Sequence, residues 1–202
     1  MKLYYAPNSR AVRVAWVLEE LGLSYEIEKF ALGERKMREA PYLSKNPMGR
    51  VPTLEDGEIT LFESGAIIQY ILTKYGNGRF VPDAQSAGFA SYLQWFHYAE
   101  GMIMPPMNTL VVETILLPPE RRTELNVKRS TKLLGQMLTA VNTQLEDKIF
   151  LVGTEITAAD FMTGHAVIMS HRFGIDMSEM PHLTEYAERL SSRQAFIKAE
   201  AL

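Results

Sequence analysis

The chain opens on a short apolar run, KLYYA at residues 2–6, which predicts a strand. After a polar Asn8-Ser9 start, apolar side chains recur at 11, 14, 15, 18 and 21 of RAVRVAWVLEEL, the spacing of one helical face. Gly22 is placed to stop that helix. Tyr25 and Ile27 alternate with Glu26 and Glu28, which predicts a second strand. Strand, helix and strand together make a right-handed parallel unit. The basic stretch GERKMREAPYLSKNP has little period and is expected as loop with one short helix. Two apolar runs, residues 51–54 and 59–62, then flank Asp56-Gly57 and predict an antiparallel hairpin. Ile67, Ile68, Ile71, Leu72 and Tyr75 share one face of a third helical element that stops at Gly76. The order, βαβ then ββα, is that of a thioredoxin-like α/β domain.

GNGRFVPD, residues 76–83, reads as a linker, and beyond it the pattern is helical only. Helical stretches are expected near 84–116, 119–147, 158–172 and 182–200. The organisation is therefore a domain at 1–77, a linker at 78–83 and an all-helical domain at 84–202. Thr157 and Asp160 form a capping box in GTEITAADF, with Ile156 and Phe161 at the positions of a hydrophobic staple. Asp160 is assigned to that helix start and not to catalysis.

Composition narrows the chemistry. Of the 202 residues, 47% are hydrophobic and 22% charged, as in an ordinary globular protein. A net charge of −3 points to neither nucleic acid nor an anionic membrane as partner. With a strand starting at residue 2 and no long apolar run, neither a signal peptide nor a spanning helix is expected, and the expected location is cytoplasmic. The cysteine count is zero, which excludes disulfides and a redox cycle on a protein thiol. Any thiol chemistry here needs a sulfur carried by a bound molecule. His97, His165, His171 and His182 show no ligand spacing, and no metal is expected.

Two residue pairs flank the hairpin. If the Val51-Pro52 bond is cis, the Val51 N–H and C=O are turned outward as a free antiparallel rung for an extended peptide. Glu63-Ser64 stands at a helix N-terminus, where free N–H groups and the dipole attract an anion. The Ser64 hydroxyl adds a donor and Glu63 can hold an ammonium. Together they describe a receptor for a small peptide with one backbone to pair and one zwitterionic end.

With KLYYAPNSRAVRVAWVLEELGL, the NPMGRVPTLEDG and FESGAIIQYI segments and the capping box, the chain resembles the cytosolic-type glutathione S-transferases, in a bacterial-like form. The resemblance covers essentially the whole chain. It implies glutathione as co-substrate, a homodimer, and conjugation to small hydrophobic electrophiles in detoxification, with glutathione-dependent peroxide reduction also open. A non-catalytic ligand-binding or protein-interaction member on the same scaffold is the alternative. By resemblance, Val51, beside Pro52, pairs with the cysteinyl backbone, while Glu63 and Ser64 hold the γ-glutamyl end. Arg50 reaches the glycyl carboxylate or remains a solvated loop cation.

The attacking species is a thiolate. Bringing a thiol from a pKa of ~8.5 to mostly ionised at pH 7 requires roughly 2 units, about 2.7 kcal/mol. One hydrogen bond to the anion contributes ~1.5–3 kcal/mol. The donor should lie between the first strand and the first helix. Ser9 is the leading candidate, with Asn8 and Arg10 as substitutes, and a plain N-cap as the competing role for Ser9. Bacterial enzymes with a similar KLYY start often carry cysteine where this chain has Arg10. Tyr5 is expected to be structural. The electrophile pocket is sought in QWFHYAEGMIMPPMN, where Tyr98, Met102 and Met104 could line an adaptable apolar wall or simply pack between helices.

Overall fold

A computed structural model describes residues 1–202 and divides them into two compact units, Met1–Val81 with Ser191–Leu202, and Pro82–Leu190. In the first unit, strands β1 (Lys2–Tyr5), β2 (Glu26–Lys29), β3 (Thr53–Asp56) and β4 (Ile59–Phe62) form one sheet in the order β2-β1-β3-β4. β1 and β2 are parallel, and β3 runs antiparallel to both β1 and β4, as the element order requires. Helices α1 (Ala11–Leu21) and α3 (Ser64–Tyr75) belong to this unit, with a short α2 (Ala40–Leu43) in the basic stretch. Leu3 and Tyr5 of β1 are fully buried, as are Val14, Leu18, Ile67, Ile68 and Ile71 of the helices. Tyr4, on the opposite side of the pleat, joins Phe30, Met37 and Tyr42 in a second, aromatic cluster.

Helix ends follow backbone chemistry. Gly22 takes φ 68 and closes α1 with its N–H on the Glu19 and Leu18 carbonyls. α3 also ends at the expected residue, but Gly76 has φ −76, and the left-handed conformations fall on Asn77 and Gly78.

The pattern of α1 predicts a one-sided apolar stripe, yet every residue from Ala11 to Leu18 is buried, Arg13 included. The cause is at the other end of the chain. Helix α9 (Gln194–Glu200) packs along α1, so the helical domain expected to run to residue 202 ends as a compact unit at Leu190. Phe196 meets the Trp16 ring edge-on at 4.9 Å between centroids. Arg193 makes a forked pair with Glu20 at 2.6 and 2.9 Å, and the Trp16 indole N–H donates to the same carboxylate. The Tyr5 hydroxyl donates to the Ala199 carbonyl at 2.9 Å. Burial, with the Glu200 charge, pushes the Tyr5 phenol up to about 12. The helix expected over 182–200 is therefore two, α8 (Pro181–Ser191) and α9, broken where Arg193 is extended.

The second unit is built of helices, with one isolated bridge between Phe150 and Gly153. It contains α4 (Phe89–Tyr98), α5 (Met104–Val111), α6 (Glu124–Gln144), α7 (His165–Arg172) and α8. Between α4 and α5 the chain widens into a π turn, Ala99–Ile103, in which the Met104 N–H reaches back to the Ala99 carbonyl. Pro105 and Pro106 have no N–H to offer the carbonyls of Gly101 and Met102, so the ordinary ladder cannot pass this point. The helix continues through the prolines and does not break. α6 starts at Glu124 and not near 119, because Arg122 and Thr123 are extended.

Asp160 is fully buried and accepts hydrogen bonds from Leu151 N–H, Thr157 N–H, the Thr157 hydroxyl and the Tyr186 hydroxyl. Burial pushes its pKa up against the pull of these donors. The carboxylate ties the 150s loop, the start of α7's segment and α8 together. Asp160→Ala leaves several buried donors unpartnered, each worth ~1–3 kcal/mol. Its melting temperature should fall by roughly 5–10 °C. A scanning-calorimetry trace that superimposes on the wild type would contradict this role.

Candidate functional site

The sheet register collects the sequence-predicted residues at one edge. Thr53 of β3 is paired with Tyr4 of β1 on one side and Phe62 of β4 on the other. One step past that rung, in the same direction, lie the β1–α1 turn, the Val51-Pro52 pair and the Glu63-Ser64 pair. Antiparallel strands make this unavoidable, since the end of β1 and of β4 must face the start of β3.

In the β1–α1 turn, Asn8 is exposed at φ 55, the left-handed region that asparagine tolerates. The Ser9 hydroxyl donates to the Ala6 carbonyl at 2.7 Å and accepts the Ala11 N–H at 3.1 Å. It thus acts within the turn as a local cap, the competing role raised by the sequence. Arg10 precedes the first residue of α1 and provides no side-chain cap. The Tyr5 hydroxyl, held by Ala199, is turned to the α9 side of the unit.

The Val51-Pro52 bond is cis, and neither the N–H nor the C=O of Val51 takes part in a backbone hydrogen bond. Pro52 is buried and Val51 packs on the aromatic cluster of Tyr4, Phe30, Met37 and Tyr42. Arg50 is exposed. The turn before it needs glycine: Gly49 has φ +57, and a Cβ there would sit 2.4 Å from the Met37 carbonyl oxygen.

Glu63 caps α3 with φ 77 and ψ 110, an unusual conformation for a residue with a side chain. Its carbonyl accepts the Ile67 N–H, while its carboxylate stays exposed and makes no cap bond. Ser64 begins the helix and is almost fully buried. Its hydroxyl accepts a hydrogen bond from the buried Arg13 guanidinium at 3.3 Å. A hydroxyl that accepts from a cation keeps its own proton for another partner and becomes a better donor. Arg13, not singled out by its motif, ties the first turn of α1 to the first residue of α3. Its position on the α1 face away from the predicted stripe hid it.

Tyr98, Met102 and Met104, the expected apolar wall, lie in the other unit. Met104 is buried, Met102 is exposed, and Tyr98 donates its hydroxyl to the Met137 carbonyl at 3.1 Å. Tyr98 is half-buried, and Met102 is the exposed member of the three.

Comparison with known proteins returns two family models, "Glutathione S-transferase, N-terminal domain" over residues 1–73 and "Glutathione S-transferase, C-terminal domain" over residues 103–194. Glutathione S-transferase 3 of Zea mays is 30% identical, over 100% of this chain and 93% of its own length. Glutathione S-transferase PARB of Nicotiana tabacum is also 30% identical, over 98% and 96%. Among solved structures, a glutathione transferase homolog from Lodderomyces elongisporus, with two GSH per subunit, superimposes with a TM-score of 0.89. It is 25% identical, covering 99% of this chain and 97% of that one.

The Glu63 backbone offers a direct test of stored strain. A side chain held at positive φ costs about 1–3 kcal/mol. Glu63→Gly should therefore be more stable than Glu63→Ala by about 1 kcal/mol, the reverse of the usual order of these residues. Urea unfolding midpoints measure the difference, and an alanine variant as stable as the glycine one would show that the backbone is relaxed.

Proposed function

The chain belongs to the glutathione S-transferase family, and we propose that it binds glutathione along this sheet edge and presents it as a thiolate to small hydrophobic electrophiles. The observation that carries the reading is the pairing of an unused backbone rung at Val51 with the Ser64 helix N-terminus one strand away. In this reading the cysteinyl backbone pairs with Val51 by strand addition. The γ-glutamyl carboxylate takes the Ser64 proton and the free N–H groups of α3, and Glu63 holds the ammonium. Arg50 meets the glycyl carboxylate.

That places the sulfur toward the β1–α1 turn. The Ser9 hydroxyl, held by the Ala11 N–H, donates to the Ala6 carbonyl, a neutral acceptor. A thiolate is a stronger acceptor and draws that proton to itself. Asn8, whose side chain is exposed, and Arg10 are the further donors. The thiolate then forms a C–S bond with the electrophilic carbon, whose leaving group departs or whose adjacent anion takes a proton from water. The same thiolate can cleave a peroxide O–O bond, releasing an alcohol and glutathione sulfenic acid, which a second glutathione converts to the disulfide and water. Detoxification in the cytoplasm, where glutathione is kept reduced, fits this chemistry. No helix is long and apolar enough to cross a membrane.

Titration of bound glutathione by ultraviolet absorbance tests the reading. The bound thiol should ionise well below its free pKa of ~8.5, and Ser9→Ala should raise it by about 1–2 units. Turnover near neutral pH should then fall by roughly tenfold or more. Asn8→Ala and Arg10→Ala are the parallel variants, and a bound thiol with the free-solution pKa would overturn activation altogether. Ser64→Ala should instead weaken binding, by ~1.5–3 kcal/mol, with the thiol pKa unmoved.

We further propose a homodimer. Ile59 and Phe62 of the edge strand β4 are each about two-fifths exposed, an apolar edge of the kind that a second copy covers. Sedimentation at micromolar concentration should give twice 22.9 kDa. A single species at the monomer mass would argue against it.

A further inference from the structure

Behind Val51 lies a closed ring of hydrogen bonds whose protons can be placed by counting. The Tyr42 hydroxyl donates its one proton to the Arg50 carbonyl at 2.6 Å. Tyr42 and the Thr53 hydroxyl are 2.9 Å apart, and since the Tyr42 proton is already used, Thr53 is the donor. The Asn46 amide nitrogen has two protons, one for the Arg50 carbonyl at 2.8 Å and one for the Thr53 hydroxyl at 3.2 Å. The Asn46 amide oxygen accepts the Met48 N–H at 3.1 Å. Tyr42, Asn46 and Thr53 are all buried. Burial also pushes the Tyr42 phenol up, so the ring keeps its protons through the neutral range.

Two donors therefore fill both lone pairs of one carbonyl, that of Arg50. The Arg50–Val51 peptide is trans, and in a planar trans peptide the C=O and the following N–H point in opposite directions. Pinning the Arg50 oxygen inward forces the Val51 N–H outward. We propose that Tyr42, Asn46 and Thr53 are positioning residues that aim the Val51 N–H at the backbone of bound glutathione, so that affinity for the cysteinylglycine part is set by a ring that never touches the ligand. This rests on the reading of Val51 as the pairing rung. The aromatic cluster reinforces the ring: the Tyr42 and Phe30 rings lie 5.0 Å apart, those of Tyr42 and Tyr4 5.4 Å, and Val51 packs against the same group.

The test uses two ligands, reduced glutathione and γ-glutamylmethylamide, which keeps the zwitterionic end and lacks the cysteinylglycine backbone. Calorimetry on the whole chain gives the preference for glutathione as a ratio of dissociation constants. Tyr42→Phe removes one oxygen and leaves the ring in its cluster, and Thr53→Val is its companion should either variant fold poorly. Each should cut that preference by roughly three- to tenfold, the worth of one such hydrogen bond, while γ-glutamylmethylamide binds as before. A general loosening of the fold would lower both affinities and leave the ratio alone, which would overturn the positioning role. A preference fully retained in both variants, with the wild type discriminating strongly, overturns the ring and spares the Val51 rung. A wild-type protein that binds the two ligands equally overturns the rung itself.

Discussion

Thr53 sits where the first unit is most tightly constrained. Its backbone lies between Tyr4 and Phe62, so it is shared by three strands, and its hydroxyl lies inside the ring formed with Tyr42, Asn46 and the Arg50 carbonyl. A buried residue held both by its ladder and by its side chain has no freedom to shift register. A slip by one residue would reverse every side chain of β3, burying charged Glu55 and exposing Leu54. It would also carry Val51 and Pro52 away from the ends of β1 and β4. The candidate site exists because this rung is fixed, and the three turns beyond it are fixed as a consequence.

The site uses hydroxyls in two different states. Ser64 accepts from the Arg13 guanidinium, which leaves its proton available and polarised. Ser9 has its proton on Ala6, a weaker partner that an anion can replace. In the proposed function, one serine donates as it stands and the other exchanges its acceptor. The difference arises from what stands behind each oxygen: a buried cation for Ser64, and a main-chain N–H for Ser9.

α9 determines the character of α1. It packs along α1 and covers Trp16, one of the eight consecutive buried residues of that helix. Burying side chains such as Trp16 and Phe196 contributes ~1.5–3 kcal/mol each. The Glu20 carboxylate, satisfied by Arg193 and the Trp16 indole, holds the two helices in register. The Tyr5 hydroxyl is engaged by the same segment, which removes from the chemistry the one phenol nearest the β1–α1 turn.

Period and punctuation in the sequence were enough for the four strands, their order, the helical second unit, the cis-capable Val51-Pro52 and the Glu63-Ser64 pair. These features rest on local chemistry: alternation, a hairpin turn, proline geometry and helix caps act over a few residues. The Thr157–Asp160 box was legible for the same reason, although the Tyr186 hydroxyl that completes it comes from 26 residues away. Tertiary structure decided which cation stands behind the Ser64 hydroxyl and where the Tyr5 hydroxyl is held. That Ser64 is backed by Arg13 follows from a contact between segments 51 residues apart, whereas Ser9 is held within its own turn and Tyr42, Asn46 and Thr53 converge on one carbonyl through a fold of the loop between residues 42 and 53. The assignment of residues 191–202 to the first unit also follows from contacts between distant segments. A residue such as Arg13 carries no sign of its burial in its own neighbourhood, because the Ser64 hydroxyl that it reaches belongs to a helix 51 residues further along the chain.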